Sequence, residues 1–357
     1  MINRDFWLHK NVAVTGHTGF KGSWLSFWLN NFGAKVTGYS LDPNDQQPLY
    51  EQLNLASRLS DYRGDITHLK NLGNVLTDTE PQIIFHLAAQ SLVRESYKKP
   101  LDTFKTNVMG TANILEASRS IPSLRVIVVI TSDKCYENIE KEHYYRESDR
   151  LGGLDPYSSS KACAELVTHS YRNSFFLDGS TSQIGLATAR AGNVIGGGDW
   201  AKDRLVPDAM RAFSGGEPLQ IRFPNATRPW HHVFDPLCGY LLLAEHLWEQ
   251  PKQYSGSWNF GPETHGIVSV GDISDLLVKS FGSLASWSTT NERNNPHEAT
   301  LLHLDISKAT NLLGWKPKWN LTSAVDHTVA WYKSYYAGKD MSMFSAEQLR
   351  NFENSIA

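Results

Sequence analysis

Short apolar runs separated by longer mixed stretches recur along the first half of the chain. Val12-Ala13-Val14-Thr15 is the first of them, and it stops at a glycine. The segment Ser23-Trp24-Leu25-Ser26-Phe27-Trp28-Leu29 then places apolar side chains at helical spacing, which predicts strand, tight turn, helix. Further runs span Lys35 to Tyr39, Ile83 to Ala89, Leu124 to Thr131 and Ile184 to Ala189, with helix-length stretches such as Thr106 to Arg119 between them. Strands alternating with helices imply an α/β fold built on a doubly wound parallel sheet.

Beyond about Arg190 the texture changes. Gly196-Gly197-Gly198-Asp199-Trp200 is followed by Pro207, Gly215-Gly216, Pro218, Pro224 and Pro229 among many aromatics, a composition of loops and small elements that close over a ligand. Helical patterns return at Leu237 to Leu247 and Val270 to Phe281, and Ser257 to Gly261 reads as one more strand end. The expected division is a dinucleotide-binding domain at 1–190 with returning segments near 232–262, and a smaller α/β substrate domain at 191–231 and 263–345. A chain of 357 residues is long enough for two cores.

Charge narrows the partners. A formal net charge of -3 and the absence of any Lys/Arg block argue against nucleic acid. No run reaches the ~18–20 apolar residues of a spanning helix and no apolar leader opens the chain, so a cytoplasmic protein without a membrane partner is expected. The 3 cysteines, Cys135, Cys163 and Cys238, have no CxxC spacing and read as reduced, packed thiols. The 13 histidines include no HExxH or spaced Cys/His cluster, so no metal is expected.

The candidate chemistry sits at the strand ends. Gly16-His17-Thr18-Gly19-Phe20-Lys21-Gly22 is a GxxGxxG turn between the first strand and its helix, where backbone N–H groups can hold a pyrophosphate; alone, it also reads as a plain structural turn. Asp42, after the second run, is placed to take adenosine ribose hydroxyls, and equally to be a turn acid before Pro43. Asp65, in Gly64-Asp65-Ile66, has the same two readings toward the adenine. Ser132-Asp133-Lys134 ends a very apolar strand. Tyr157 and Lys161 are one helical turn apart, so the ammonium is expected to stabilise a phenolate and lower the tyrosine pKa.

Taken together, GxxGxxG and Tyr157-x-x-x-Lys161 resemble the extended short-chain dehydrogenase/reductases, from about Phe6 to about Trp319. That resemblance implies a Rossmann domain and NAD as cofactor, held by Gly16, Thr18, Gly19, Phe20, Gly22, Asp42, Asp65, Ile66, Tyr157 and Lys161. Leu87-Ala88-Ala89-Gln90-Ser91 resembles the family's motif beneath the nicotinamide ribose, and Asn107 a structural Asn beside the cofactor strands. Arg190-Ala191-Gly192-Asn193-Val194-Ile195-Gly196 and Arg228-Pro229-Trp230 resemble segments whose Asn193 and Arg228 reach a sugar-nucleotide diphosphate, with Ser91, Arg94, Arg204, His297 and Glu298 as further substrate candidates. Arg204 reads equally as a solvated helix-start charge and His297-Glu298 as a loop pair; Phe223, Trp200 and Trp230 are candidates to stack on a pyrimidine or to fill core.

Within the family, the opening segment and Ser132-Asp133-Lys134 look most like the 4,6-dehydratases that act on CDP-glucose, whose relatives carry Glu where Lys134 stands. The implied roles are Tyr157 as base at the C4 hydroxyl, Ser132 bonding the same oxygen, Asp133 as a buried acid for the departing 6-hydroxyl and Lys134 as base at C5. For Lys134 to be neutral, burial, Lys161 and Arg94 are expected to outweigh Asp133; alternatively it only pairs with Asp133 or a phosphate. A sugar-nucleotide 4-epimerase, which needs no C5/C6 acid/base pair, and a non-catalytic NAD(P) sensor are the rival classes. The helices at Thr106 to Arg119 and Tyr157 to Tyr171 are expected to supply a homodimer contact, or a dimer of dimers.

Overall fold

The computed structural model describes residues 2–43, 48–177, 183–263, 266–283, 285–290 and 301–356. His297 and Glu298 lie outside the described residues.

A seven-stranded, wholly parallel sheet forms the frame. Its order is Gly256–Phe260, Gly185–Ala191, Val126–Ile130, Ile83–His86, Asn11–Thr15, Lys35–Ser40, Ser60–Arg63. The first strand therefore sits mid-sheet, and the chain winds outward from it in both directions, leaving a crevice where the winding reverses. The five residues of Val126–Ile130 are all buried, as befits a strand covered on both faces, and each such side chain contributes about 1.5–3 kcal/mol relative to exposure. Ser60–Arg63 escapes the apolar pattern because it is an edge strand, half-buried to exposed throughout.

The helix expected over Thr106 to Arg119 is interrupted. A π-turn at Lys105–Met109 joins Pro100–Phe104 to Gly110–Ser118. Asn107 sits within it, its amide bonded to Gln90 N and O at 2.8 and 2.9 Å and to Ser160 Oγ at 2.8 Å, so one wider turn accommodates a buried polar anchor.

Past the Gly185–Ala191 strand the chain builds smaller sheets. Asn193–Ile195 pairs in parallel with Thr227–His232, which pairs antiparallel with Ile267–Ser269; Leu219–Ile221 pairs with Trp287–Thr289, and Tyr144–Tyr145 with His303–Leu304. The glycine run is locked against the Leu321–Tyr336 helix: a Cβ on Gly197 would stand 2.0 Å from Trp331 Cγ. Trp200 packs among Trp331, Tyr332 and Tyr335, so it is core and not a base platform. Among the described residues no helix is long and apolar enough to cross a membrane, and no three His, Cys, Asp or Glu side chains are grouped to hold a metal.

Candidate active site

One cleft of about 860 Å³ runs over the carboxyl ends of the strands and collects most of the candidate residues. Its floor is the glycine turn. Gly16 has φ +75°, and a Cβ there would lie 2.7 Å from Ala88 N; a Cβ on Gly22 would lie 2.1 Å from Gly16 O. Both glycines are thus required by close backbone approach. Gly19 caps the Phe20–Asn31 helix without a side-chain bond, which leaves the first-turn N–H groups facing the cleft. These residues fit a dinucleotide pyrophosphate.

The rest of that half is lined by Thr18, Phe20, Ser40, Asp42, Asp65, Ile66, Leu87, Ala88 and Ala89. Thr18 Oγ1 meets Ser40 Oγ at 2.8 Å, and Asp65 Oδ1 accepts from Thr67 N at 2.8 Å. Asp42 is 87% exposed and pairs loosely, at 3.7 Å, with Arg63 Nε. Folding brings that arginine from the neighbouring edge strand, although none stands near Asp42 in sequence. Asn107 does not line the cleft; it holds Gln90 from behind.

At the centre stand Ser132, Asp133, Lys134, Tyr157 and Lys161. Asp155 caps the Pro156–Tyr171 helix through Ser158 N at 2.9 Å, with Pro156 in its first turn, so Tyr157 enters the cleft at a fixed position. Ser132 caps the short turn Asp133–Cys135, accepts from Lys134 N at 3.2 Å and donates to Asp133 Oδ1 at 2.9 Å. Asp133 is buried, and its Oδ2 has no hydrogen-bond partner. Burial raises its carboxyl above the usual range, against the pull of Lys134, Ser132 and Lys21. Lys134 is half-buried.

The tyrosine corrects an expectation. Burial pushes the Tyr157 phenol up to about 12, and the largest opposing pulls come from the Ser132 hydroxyl and Arg204. Helical spacing places Lys161 on the same side as Tyr157, but its Nζ turns to Ile130 O at 3.4 Å, and burial lowers it to about 8. Desolvation outweighs the one-turn proximity.

The outer half carries cations. Arg204 donates to Asp199 Oδ2 at 2.8 Å and Ser91 Oγ at 3.2 Å; Arg94 pairs with Asp203 at 3.3 Å; Arg228, with Nη1 on Thr227 O at 2.8 Å, and Asn193 line the same wall. Arg204 is therefore a cleft residue and not merely a solvated helix-start charge. Of the aromatic candidates, Phe223 is 47% exposed in the cleft, whereas Trp230 is buried.

Two further cleft cations were not among the expected residues. Lys21 lies inside the glycine motif, between residues that read as a pyrophosphate cradle; burial lowers it to about 8, and the charges of Arg204, Asp133, Lys161 and Asp199 act on it. Arg222 reaches Asp203 at 3.7 Å. Its signal is faint, a lone arginine beside Phe223.

A family model described as GDP-mannose 4,6 dehydratase matches residues 13–328. The CDP-glucose 4,6-dehydratase of Salmonella typhimurium is 47% identical over 354 residues, covering 99% of this chain and 98% of that protein. The UDP-glucuronic acid 4-epimerase of Bacillus cereus, solved with UDP-glucuronic acid and NAD, superposes with a TM-score of 0.77 at 26% identity, covering 91% of this chain and 99% of the other. The dTDP-glucose 4,6-dehydratase of Bacillus anthracis, solved with NAD, shares the fold with a TM-score of 0.74 at 20% identity, covering 91% and 97%.

Proposed function

The chain belongs to the GDP-mannose 4,6-dehydratase family, and from that premise we propose that it converts CDP-D-glucose to CDP-4-keto-6-deoxy-D-glucose with bound NAD. The observation that carries the reading is the meeting of Ser132, Asp133, Tyr157 and Lys161 in one cleft with the glycine cradle. NAD is further supported by its presence in the Bacillus cereus epimerase structure. In this reading residues 1–190 and 232–262 hold the cofactor, and 191–231 and 263–345 hold the sugar nucleotide.

Held by the glycine cradle with Tyr157 and Lys161, NAD would supply a hydride acceptor for the sugar C4 and a hydride donor for C6. Tyr157 Oη takes the C4 hydroxyl proton. With its phenol at about 12, Tyr157 starts protonated near neutral pH, so it must first release that proton to solvent, a loss favoured by the Ser132 hydroxyl and the Arg204 charge. Ser132 Oγ steadies the same sugar oxygen. Oxidation at C4 makes the C5 hydrogen acidic, because it then lies α to a carbonyl. The Lys134 amine removes that proton, and the buried Asp133 carboxyl gives one to the departing 6-hydroxyl, so water leaves. The carboxyl of Asp133, raised by burial and with its Oδ2 unpartnered, supports the acid role. Asn193, Arg204 and Arg228 take the diphosphate, a task suited to guanidinium.

Exposed apolar side chains support assembly as a homodimer. Leu101, Met109 and Leu166, at 81%, 54% and 57% exposure, sit on the Pro100–Ser118 and Pro156–Tyr171 helices, and Leu154, at 84%, stands just before the second.

The test is incubation with NAD and a panel of nucleotide glucoses, scored by mass. Loss of one water from CDP-glucose in preference to the dTDP, UDP and GDP sugars is expected. An unchanged product mass with a new C4 configuration means an epimerase.

A further inference from the structure

Behind the reacting groups lies a buried charge network that the mechanism above does not use. Glu165 is one helical turn beyond Lys161, and only 3% of it is exposed. Its Oε1 accepts from Thr131 Oγ1 at 2.5 Å and Arg190 Nε at 3.0 Å; its Oε2 accepts from Arg190 Nη2 and Thr188 Oγ1, both at 2.7 Å, and from Ser257 Oγ at 3.2 Å. Arg190, 1% exposed, also donates to Tyr136 OH at 2.7 Å, and that hydroxyl donates to Asn259 Oδ1 at 2.7 Å. Four segments meet at this carboxylate: the helix bearing Tyr157 and Lys161, Thr131 just past the Val126–Ile130 strand, and the Gly185–Ala191 and Gly256–Phe260 strands through Thr188, Arg190 and Ser257.

A fully bonded carboxylate at this depth stays ionised. Burial opposes the charge, but Arg190 and the two threonines hold Glu165 below the usual carboxyl range. Thr131 directly precedes Ser132, so this bond fixes the strand end from which the Ser132-Asp133-Lys134 turn departs.

We propose that Glu165 is a positioning residue of the active site: it anchors the Ser132 strand end through Thr131 and supplies the counter-charge that keeps the Lys161 ammonium protonated. The proposal rests on the reading of Lys161 as one of the residues that hold NAD in the cleft. The other groups facing Lys161 do not replace Glu165. Tyr157, one turn back, is neutral; burial raises the Cys135 thiol and keeps it neutral; burial drops His86 to about 3; and Lys21 adds positive charge. Among the described residues Glu165 is the carboxylate acting on Lys161, whose ammonium burial already draws down to about 8.

The experiment reads Lys161 directly. Brief acetylation of the full-length protein with acetic anhydride, followed across pH by mass spectrometry of the Lys161 peptide, gives the titration of that amine without any substrate. In Glu165→Gln the midpoint is expected to fall by about one pH unit, the usual effect of one opposite charge. With NAD loaded, the alkaline limb of kcat should move down by the same amount while KM changes little. Lys161→Arg, whose guanidinium stays charged, should abolish that shift when combined with Glu165→Gln. The double variant Glu165→Gln/Arg190→Gln leaves no lone buried charge and serves where the single variant unfolds. A folded variant in which Lys161 titrates as in the parent protein overturns the proposal. Because acetylation needs no sugar nucleotide, a wrong substrate assignment leaves this result intact.

Discussion

In the proposed mechanism Asp133 and Lys134 carry the step that separates a dehydratase from an epimerase. Asparagine at Asp133 keeps the shape and removes the proton. Asp133→Asn is therefore expected to oxidise C4, seen as absorbance of bound NADH in a single turnover, while dehydration falls by about 10²–10⁴-fold. Unimpaired deoxysugar formation would remove Asp133 from the acid role. Lys134→Ala should lose incorporation of solvent deuterium at C5, and exchange at the parent rate would show that another base acts. The triplet was legible as a polar end to an apolar strand, and Tyr157 and Lys161 as a helical pair. The state of the phenol was not legible, because spacing reports direction whereas burial, which pushes it up to about 12, depends on the whole fold. Lys21 and Arg222 were hidden for a related reason: their partners, Asp133 and Asp203, come from other segments of the chain.

At the scale of elements, the glycine turn is the most exacting feature. Gly22→Ala would drive a methyl group to 2.1 Å from Gly16 O, and the contact is backbone, so no side chain can yield. A strain of about 1–3 kcal/mol follows, and NAD affinity measured by calorimetry should fall roughly tenfold or more, with a lowered melting temperature. Parent-like affinity would mean that the turn does not hold the cofactor as described. The turn, the first strand and its helix were readable because each is local: a run of apolar residues, glycines at fixed spacing, then a 3.6-residue period. The edge strand Ser60–Arg63 and the π-turn around Asn107 were not, since one lacks apolar residues and the other is set by bonds to Gln90 and Ser160.

For the whole molecule, the sheet order puts the glycine turn and the cation-lined wall on the same end of the strands, so one cleft is open to both proposed ligands. The alternation of strands and helices was enough to foresee this sheet, but the small sheets beyond Arg190 are too short to announce themselves. The Pro156–Tyr171 helix has a second task in this account, since Leu166 points outward while Tyr157 and Lys161 point in. Leu166→Glu is expected to shift the sedimentation mass from dimer to monomer, and a parent protein that already sediments as a monomer would refute the dimer.

The most direct measurement follows one atom. CDP-glucose carrying deuterium at C4 is incubated with the NAD-loaded protein, and the product is read by mass and NMR. A product lighter by one water with the deuterium in the new C6 methyl group is expected; deuterium still at C4, or a product of unchanged mass, would contradict the proposed mechanism.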